Sequence, residues 1–307
     1  MNFSLPCRRT FFVKTLLTIH DFRAWRKSIH THSPITFVPT MGALHEGHAS
    51  LVRHARELAG PAGHVIASIF VNPTQFGPNE DYNQYPRTLE SDLRILTAAQ
   101  CDAVFVPSAH EMYPHPPTTP TLSISIDPGP LADMLEGAPG SGRPGHFRGV
   151  CTVVAKLLNI TQPTHLFLGQ KDFQQQTILR RMCKDLDMPV EVVTCPTIRE
   201  SDGLALSSRN RYLDPDERPR ALGLYEALTW AKTEYANGRP HLSPAELECG
   251  MKTRLEARGL AVQYAVIAHS ETLVPWTNAI APSLPPSAVA LVAAKLGATR
   301  LIDNMLL

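Results

Sequence analysis

Short buried strands alternate with amphipathic helices over roughly the first two-thirds of the chain, and this alternation limits the possible folds more than any other feature. Residues 35–39 (Ile-Thr-Phe-Val-Pro) are a β-branched and aromatic run that predicts a strand. Leu51, Val52, Ala55, Leu58 and Ala59 then share one helical face, and Gly60-Pro61 ends that helix. The apolar run 65–71 predicts a buried strand closed by Asn72-Pro73. Helical spacing at 88–99, a strand at 103–106, a helix at 147–160, a strand at 165–168, a helix at 173–186 and a strand at 190–193 continue the series. Residues 114–145 are rich in proline and glycine and predict mostly loop around a short strand at 122–126. A chain of this kind folds into the α/β class, as a doubly wound parallel sheet with right-handed crossovers.

Past residue 198 the pattern changes. Two long helical stretches, 215–236 and 243–258, precede strands at 262–268 and 288–293, which predicts a smaller C-terminal α+β domain. The expected organisation is an N-terminal extension (1–13), a larger doubly wound domain (14–197) and a smaller C-terminal domain (198–307). A chain of 307 residues can bury a core of that size.

A net charge of +1 gives no electrostatic footprint for nucleic acid or an anionic membrane. No run reaches the ~18 apolar residues of a membrane span. The six cysteines (Cys7, Cys101, Cys151, Cys183, Cys195, Cys249) lack zinc or disulfide spacing and read as reduced thiols, pointing to the cytoplasm. Arg8-Arg9 before the apolar run 11–19 faintly resembles a signal peptide, but Lys14 interrupts the run and no small-residue cleavage site follows.

In an open α/β sheet, ligands bind beyond the carboxyl ends of the strands, and polar clusters fall at several such ends here. In Met41-Gly42-Ala43-Leu44-His45-Glu46-Gly47-His48, a strand turns into a helix start. Free N–H groups and the helix dipole there attract phosphate, and two imidazoles can stabilise charge on a pentavalent phosphorus. A zinc pair or two solvated histidines are the competing readings, although helical zinc histidines are usually spaced by four. Asn72-Pro73-Thr74-Gln75 offers amides that fix hydroxyls or carboxylates. Gly169-Gln170-Lys171-Asp172-Phe173-Gln174-Gln175 offers a phosphate-neutralising lysine, and an aspartate for ribose or for a helix cap. Leu206-Ser207-Ser208-Arg209 is suited to a mobile phosphate clamp, or is simply an exposed polar loop. Walker A and G-x-G-x-x-G patterns are absent, which disfavours P-loop kinases and dinucleotide oxidoreductases.

Taken with Tyr85-Pro86-Arg87-Thr88, Met134-Leu135-Glu136-Gly137, Arg143 to Val150, Asp202 to Leu213 and Arg300 to Asn304, these motifs resemble the pantoate–β-alanine ligase (pantothenate synthetase) family of the nucleotidyltransferase superfamily. The resemblance runs from about residue 14 to the end. It implies a Rossmann-like fold and two half-reactions. Pantoate carboxylate attacks the α-phosphate of Mg²⁺-bound ATP, giving pantoyl adenylate and pyrophosphate. β-Alanine then displaces AMP to give pantothenate.

The resemblance also implies roles for particular positions. Met41 to His48 would bind ATP, with His48 as general acid or phosphate donor and His45 on phosphate. Gly169 to Asp172 would hold nucleotide through Lys171 and Asp172, Ile198 would touch adenine, and Leu206 to Arg209 would form the clamp. Gln75 and Gln175 would hold pantoate. His45, His48, Lys171 and Arg209 would supply positive donors to the reacting phosphate. Asp92 lies near where such enzymes place an acidic metal contact, while no protein ligand of Mg²⁺ is assigned. A homodimer is the implied assembly. Gln170 stands where the motif commonly has glutamate, and the loop 138–142 is longer than usual.

Overall fold

The structure is a computed structural model and describes residues 12–29, 33–77, 80, 82–114, 124–138, 143–236, 243–276 and 287–307. The expectations for residues 1–11, 122–123 and 139–142 lie outside the described residues.

In chain order the first half comprises β1 (Lys14–Leu16), α1 (Ile19–Lys27), β2 (Ile35–Thr40), α2 (Glu46–Ala59), β3 (His64–Ile69), α3 (Leu89–Ala98), β4 (Ala103–Phe105) and α4 (Ala109–Met112). Next come α5 (His146–Thr161), β5 (His165–Gly169), α6 (Phe173–Asp185) and β6 (Glu191–Cys195). The six strands form one parallel sheet in the order β1-β4-β3-β2-β5-β6. β2, β3 and β4 step to one side and β5 and β6 to the other, so the strand order reverses between β2 and β5. Such a switch point opens a crevice at the carboxyl ends of the two strands, which here are Thr40 and Gly169. The doubly wound class predicted from the alternation is the fold found.

Apolar residues cover both faces of this sheet, as a parallel sheet between helix layers requires. Phe22, Phe37, Ile66, Phe105, Leu166 and Ile178 are buried with the apolar stripe of α5 on one face. Val38, Val52, Ala55, Val65, Ala67 and Val104 pack under α2 on the other.

The chain continues through α7 (Glu217–Arg220), α8 (Gly223–Ala236), α9 (Pro244–Ala257), β7 (Ala261–His269), β8 (Ala288–Leu296) and β9 (Thr299–Leu306). The last three strands form an antiparallel sheet in that order, with α8 and α9 against it around Leu224, Leu228, Leu247, Met251 and Ile267.

Several expectations need correction. The helix predicted at 215–236 is two helices, broken after Arg220. Gly223 opens the second where a Cβ would meet Leu260 Cδ1 at 2.9 Å. Residues 124–126 carry no strand. The apolar run read beside the signal-peptide pattern enters the fold: Lys14–Leu16 pairs with Ala103–Phe105, and Ile19–Lys27 is a helix capped by Thr18.

Candidate functional site

The turn after β2 is held in an unusual backbone shape. Gly42 has φ +84° and Ala43 has φ +50°, and the left-handed region is costly for alanine. Asp92, at the start of α3, compensates. It is 1% exposed, and its carboxylate accepts the N–H of Ala43 at 3.1 Å, the N–H of Leu44 at 2.9 Å and the hydroxyl of Thr88 at 3.1 Å. Both oxygens are therefore committed to the protein. Asp92 is thus a clamp on the turn, a role its sequence reading did not include.

His45 occupies the N-cap of α2. Its Nδ1 accepts the N–H of Gly47 at 3.1 Å, and His48 Nδ1 accepts the N–H of His45 at 3.3 Å. A backbone N–H can only donate, so each imidazole carries its own proton on Nε2. The two rings lie side by side, 4.2 Å between centroids. Burial lowers the His45 pKa to about 4, aided by Lys171, and burial with His45 itself lowers that of His48 to about 3. Both are neutral N–H donors at pH 7 rather than the positive groups anticipated from sequence. The amides of Gly47 and His48 are already bonded to His45, so the imidazoles replace open helix amides at this terminus.

Across the switch point, Lys171 and Asp172 follow β5, Nζ to Oδ1 3.9 Å apart. Asp172 stands at the N-cap of α6 but makes no capping bond, so the helix-cap reading of this residue does not hold. Its side chain is about half exposed, and Lys171 and Arg209 outweigh the local desolvation and hold its carboxyl below the usual range. Asn304 of β9 donates to the carbonyls of Gln170 and Lys171, both at 2.9 Å, and receives the Gln170 amide at 3.2 Å. The second sheet thereby braces the lysine loop of the first, using the glutamine that departs from the usual motif.

Gln75 is 8% exposed; Asn72 fixes its Oε1 at 3.1 Å, and its Nε2 lies 3.0 Å from Met41 Sδ. Asn72 is itself spent on Gln75, Thr74, Tyr113 and the Gly149 carbonyl, so it orients Gln75 and has little left for a ligand. Ser207 caps the short 3₁₀ turn Ser208–Tyr212 through the N–H of Arg209, and Leu206 N–H bonds the Ile198 carbonyl.

A cavity of about 240 Å³ gathers these groups. His45, Gly47, His48 and Met41 form one wall, and Gly169, Lys171 and Asp172 another. Gln75 and Gln175 line it together, and Ile198 with Leu206 to Arg209 completes it. Gly42, Ala43, Leu44, Glu46 and Gln170 do not line it; they shape the turns, and Glu46 pairs with Arg53 on the outer face of α2. A second cavity of about 900 Å³ lies between the two sheets and shares Lys171, Asp172, Gln175 and Arg209 with the first. Sequence reasoning gave no role to Arg143 and His146, which line both cavities. Arg143 pairs with Glu80 at 2.6 Å, and Glu136 pairs with Arg300 and Tyr264 across the second cavity. Their only signal in the sequence was membership of family-like motifs.

Among the described residues no group of His, Cys, Asp and Glu is placed to hold a metal ion, and no helix is long and apolar enough to cross a membrane.

The sequence profile of the pantoate-beta-alanine ligase family matches residues 14–306. The pantothenate synthetase of Magnetococcus marinus is 49% identical over 284 residues, 92% of each chain. That of Thermotoga petrophila is 45% identical over 296 residues, 96% of this chain and 100% of the other. A crystal structure of pantothenate synthetase from Thermus thermophilus superposes with a TM-score of 0.84 at 43% identity, covering 95% of this chain and 99% of that one. The pantoate-beta-alanine ligase of Francisella tularensis, described as a complex with beta-gamma ATP and beta-alanine, gives 0.74 at 35% identity over 96% and 97%. With its strand order, its switch-point cavity and these matches over nearly its whole length, the chain belongs to the pantoate–β-alanine ligase family.

Proposed function

We propose that the chain condenses (R)-pantoate with β-alanine to pantothenate, with ATP converted to AMP and pyrophosphate through pantoyl adenylate. One observation carries this reading. The imidazole pair, Lys171, Arg209 and the two glutamines converge on a single cavity at the switch point of a chain of this family.

The geometry supports a division of labour. Nucleotide lies along the Met41–His48 turn and the Gly169–Asp172 loop, with adenine toward Ile198 and ribose at Asp172. Pantoate sits between Gln75 and Gln175. Its carboxylate attacks the α-phosphorus while the Nε2–H groups of His45 and His48 donate to the phosphoryl oxygens. Lys171 and Arg209 supply cationic charge to the leaving pyrophosphate. Such preformed donors stabilise the transition state more than the ground state. The neutrality of His48 favours the phosphate-donor role over the general-acid role. A carboxylate nucleophile carries no proton to remove, and pyrophosphate leaves without taking one.

Mg²⁺ would arrive with ATP and supply charge neutralisation on its phosphates, needing few protein ligands. The donor set fits this, because Asp92 is engaged by three protein donors and Asp172 is the carboxylate at the nucleotide end. The acyl adenylate is water-sensitive, so the smaller domain, 198–307, serves as a closing lid over it. The homodimer and the cytoplasmic location belong to the same proposal. The described cysteines are all free thiols, which supports the last.

The test is mass spectrometry of products from purified protein with ATP, Mg²⁺, pantoate and β-alanine. Pantothenate and AMP in equal amounts support the reading. A nucleotide adduct that β-alanine does not consume contradicts it.

A further inference from the structure

A third imidazole at the cavity has the opposite polarity to the His45–His48 pair. His146 opens α5 and is 7% exposed. Its Nδ1 lies 2.8 Å from the backbone carbonyl oxygen of Gln75. A carbonyl only accepts, so Nδ1 holds the proton and Nε2 presents a lone pair. No described residue hydrogen-bonds to that Nε2.

The charged surroundings differ as well. His45 feels Lys171, Asp172 and Arg211, and His48 feels His45, Asp172 and Lys171. His146 feels Arg143, Glu80 and Glu136. His146 borders both cavities, whereas His45 and His48 border only the smaller one. The site therefore has a donor end, where phosphate is handled, and an acceptor end, beside the backbone of Gln75 and open to the space between the sheets. The acceptor end carries both charge signs, which suits a zwitterionic amino acid arriving through the larger cavity.

We propose that His146 Nε2 is the proton acceptor of the amine-transfer half-reaction. This rests on the ligase reading above. The ammonium of β-alanine loses one proton to water as it enters. Its nitrogen lone pair then forms the C–N bond to the acyl carbon of pantoyl adenylate. The carbonyl π pair moves onto its oxygen as the C–N bond forms, and returns when the bond to AMP breaks. The adduct nitrogen still bears a surplus proton and is more acidic than the free ammonium, because the carbon it joins carries electron-withdrawing oxygens. That proton passes to Nε2. The acyl C–O bond breaks, its electron pair departs with the phosphate of AMP, and His146 returns its proton to water in the larger cavity. Burial and Arg143 lower the His146 pKa to about 4. The group is therefore unprotonated at neutral pH, with its Nε2 lone pair open to accept a proton.

The half-reactions separate the possibilities. Pantoate-dependent exchange of pyrophosphate into ATP reads adenylation. Rapid-quench formation of pantothenate, after β-alanine is added to preformed adenylate, reads amine transfer. In H146N the amide reproduces the Nδ1 donor to Gln75 and lacks Nε2. The proposal predicts exchange within about threefold of native and amine transfer slowed by roughly 10²–10³, the range of a lost general base. Equal losses in both half-reactions, or an unchanged amine step, overturn it. In H146Q an amide reaches the Nε2 position while the Gln75 contact is lost, so both steps should fall. The native protein gives a check independent of any variant. Amine transfer should slow in D₂O while adenylation does not, and an amine step insensitive to D₂O contradicts the proposal. Absence of exchange in the native protein would instead overturn the ligase reading.

Discussion

The carboxylate of Asp92 accepts the backbone N–H of Leu44 at 2.9 Å, joining the start of α3 to the turn that carries the histidine pair. With Ala43 bonded to the other oxygen, Asp92 holds both left-handed residues of the turn from one side. Asp92→Asn sets an amide donor against one of these N–H groups. Leaving such buried groups unpaired costs about 1–3 kcal/mol. The variant should melt lower and need roughly tenfold more ATP, equivalent to about 1.4 kcal/mol of lost binding. Its Mg²⁺ requirement at saturating ATP should be native. A changed Mg²⁺ requirement with native stability would mean that Asp92 ligates metal.

His48→Ala removes a preformed donor to the phosphoryl oxygens. Adenylation, read by pyrophosphate exchange, should fall by about 10²–10³, as when one oxyanion donor is lost. Pantoate affinity should change little. His48→Gln retains an N–H near the Nε2 position and should recover part of the loss. Unchanged exchange in the alanine variant contradicts the assigned role.

Gln75→Ala should weaken pantoate, because the amide is pre-aimed by Asn72 and nearly buried. Calorimetric titration should show a pantoate Kd raised by roughly tenfold or more, the effect of a lost hydrogen bond of about 1.5 kcal/mol. A native Kd would place pantoate elsewhere in the cavity.

The histidines also set the acid limb of stability. His45, His48 and His146 are held at about 4, 3 and 4, against 6.5 for an ordinary imidazole. As pH falls through 6.5 the unfolded chain takes up protons that the folded chain refuses, so stability drops with pH. Above pH 7 these groups are neutral in both states and contribute no slope. Melting temperature should therefore be level in their contribution above about pH 7 and decline toward pH 4. The His45→Gln, His48→Gln double variant should show a shallower decline. An equally steep one would remove these imidazoles as its cause.

The sequence carried the strong periodic elements and the cavity's polar groups, because both follow local rules. Strand ends at Thr40 and Gly169, followed by helix starts, located the crevice before any tertiary contact was known. Elements stabilised by distant partners were not legible. β1 has only three residues and includes Lys14, so its pairing with β4 leaves no local pattern. β9 interrupts its apolar run with Asp303 and Asn304, which are buried because they bond Arg199 and the Lys171 loop. Asp92 stood out in the sequence only through the family resemblance, as a residue near a metal contact, and its bond across 48 positions appears only in the fold. Tautomers were invisible for the same reason, since backbone partners decide which ring nitrogen of His45, His48 and His146 holds the proton.

The central claim is that this site joins a carboxylate to the α-phosphorus of ATP. Turnover with pantoate labelled by ¹⁸O in its carboxyl group tests it most directly. The account predicts that one carboxylate oxygen is carried into AMP in each turnover and that pyrophosphate stays unlabelled. Unlabelled AMP, or ADP as the nucleotide product, would contradict it.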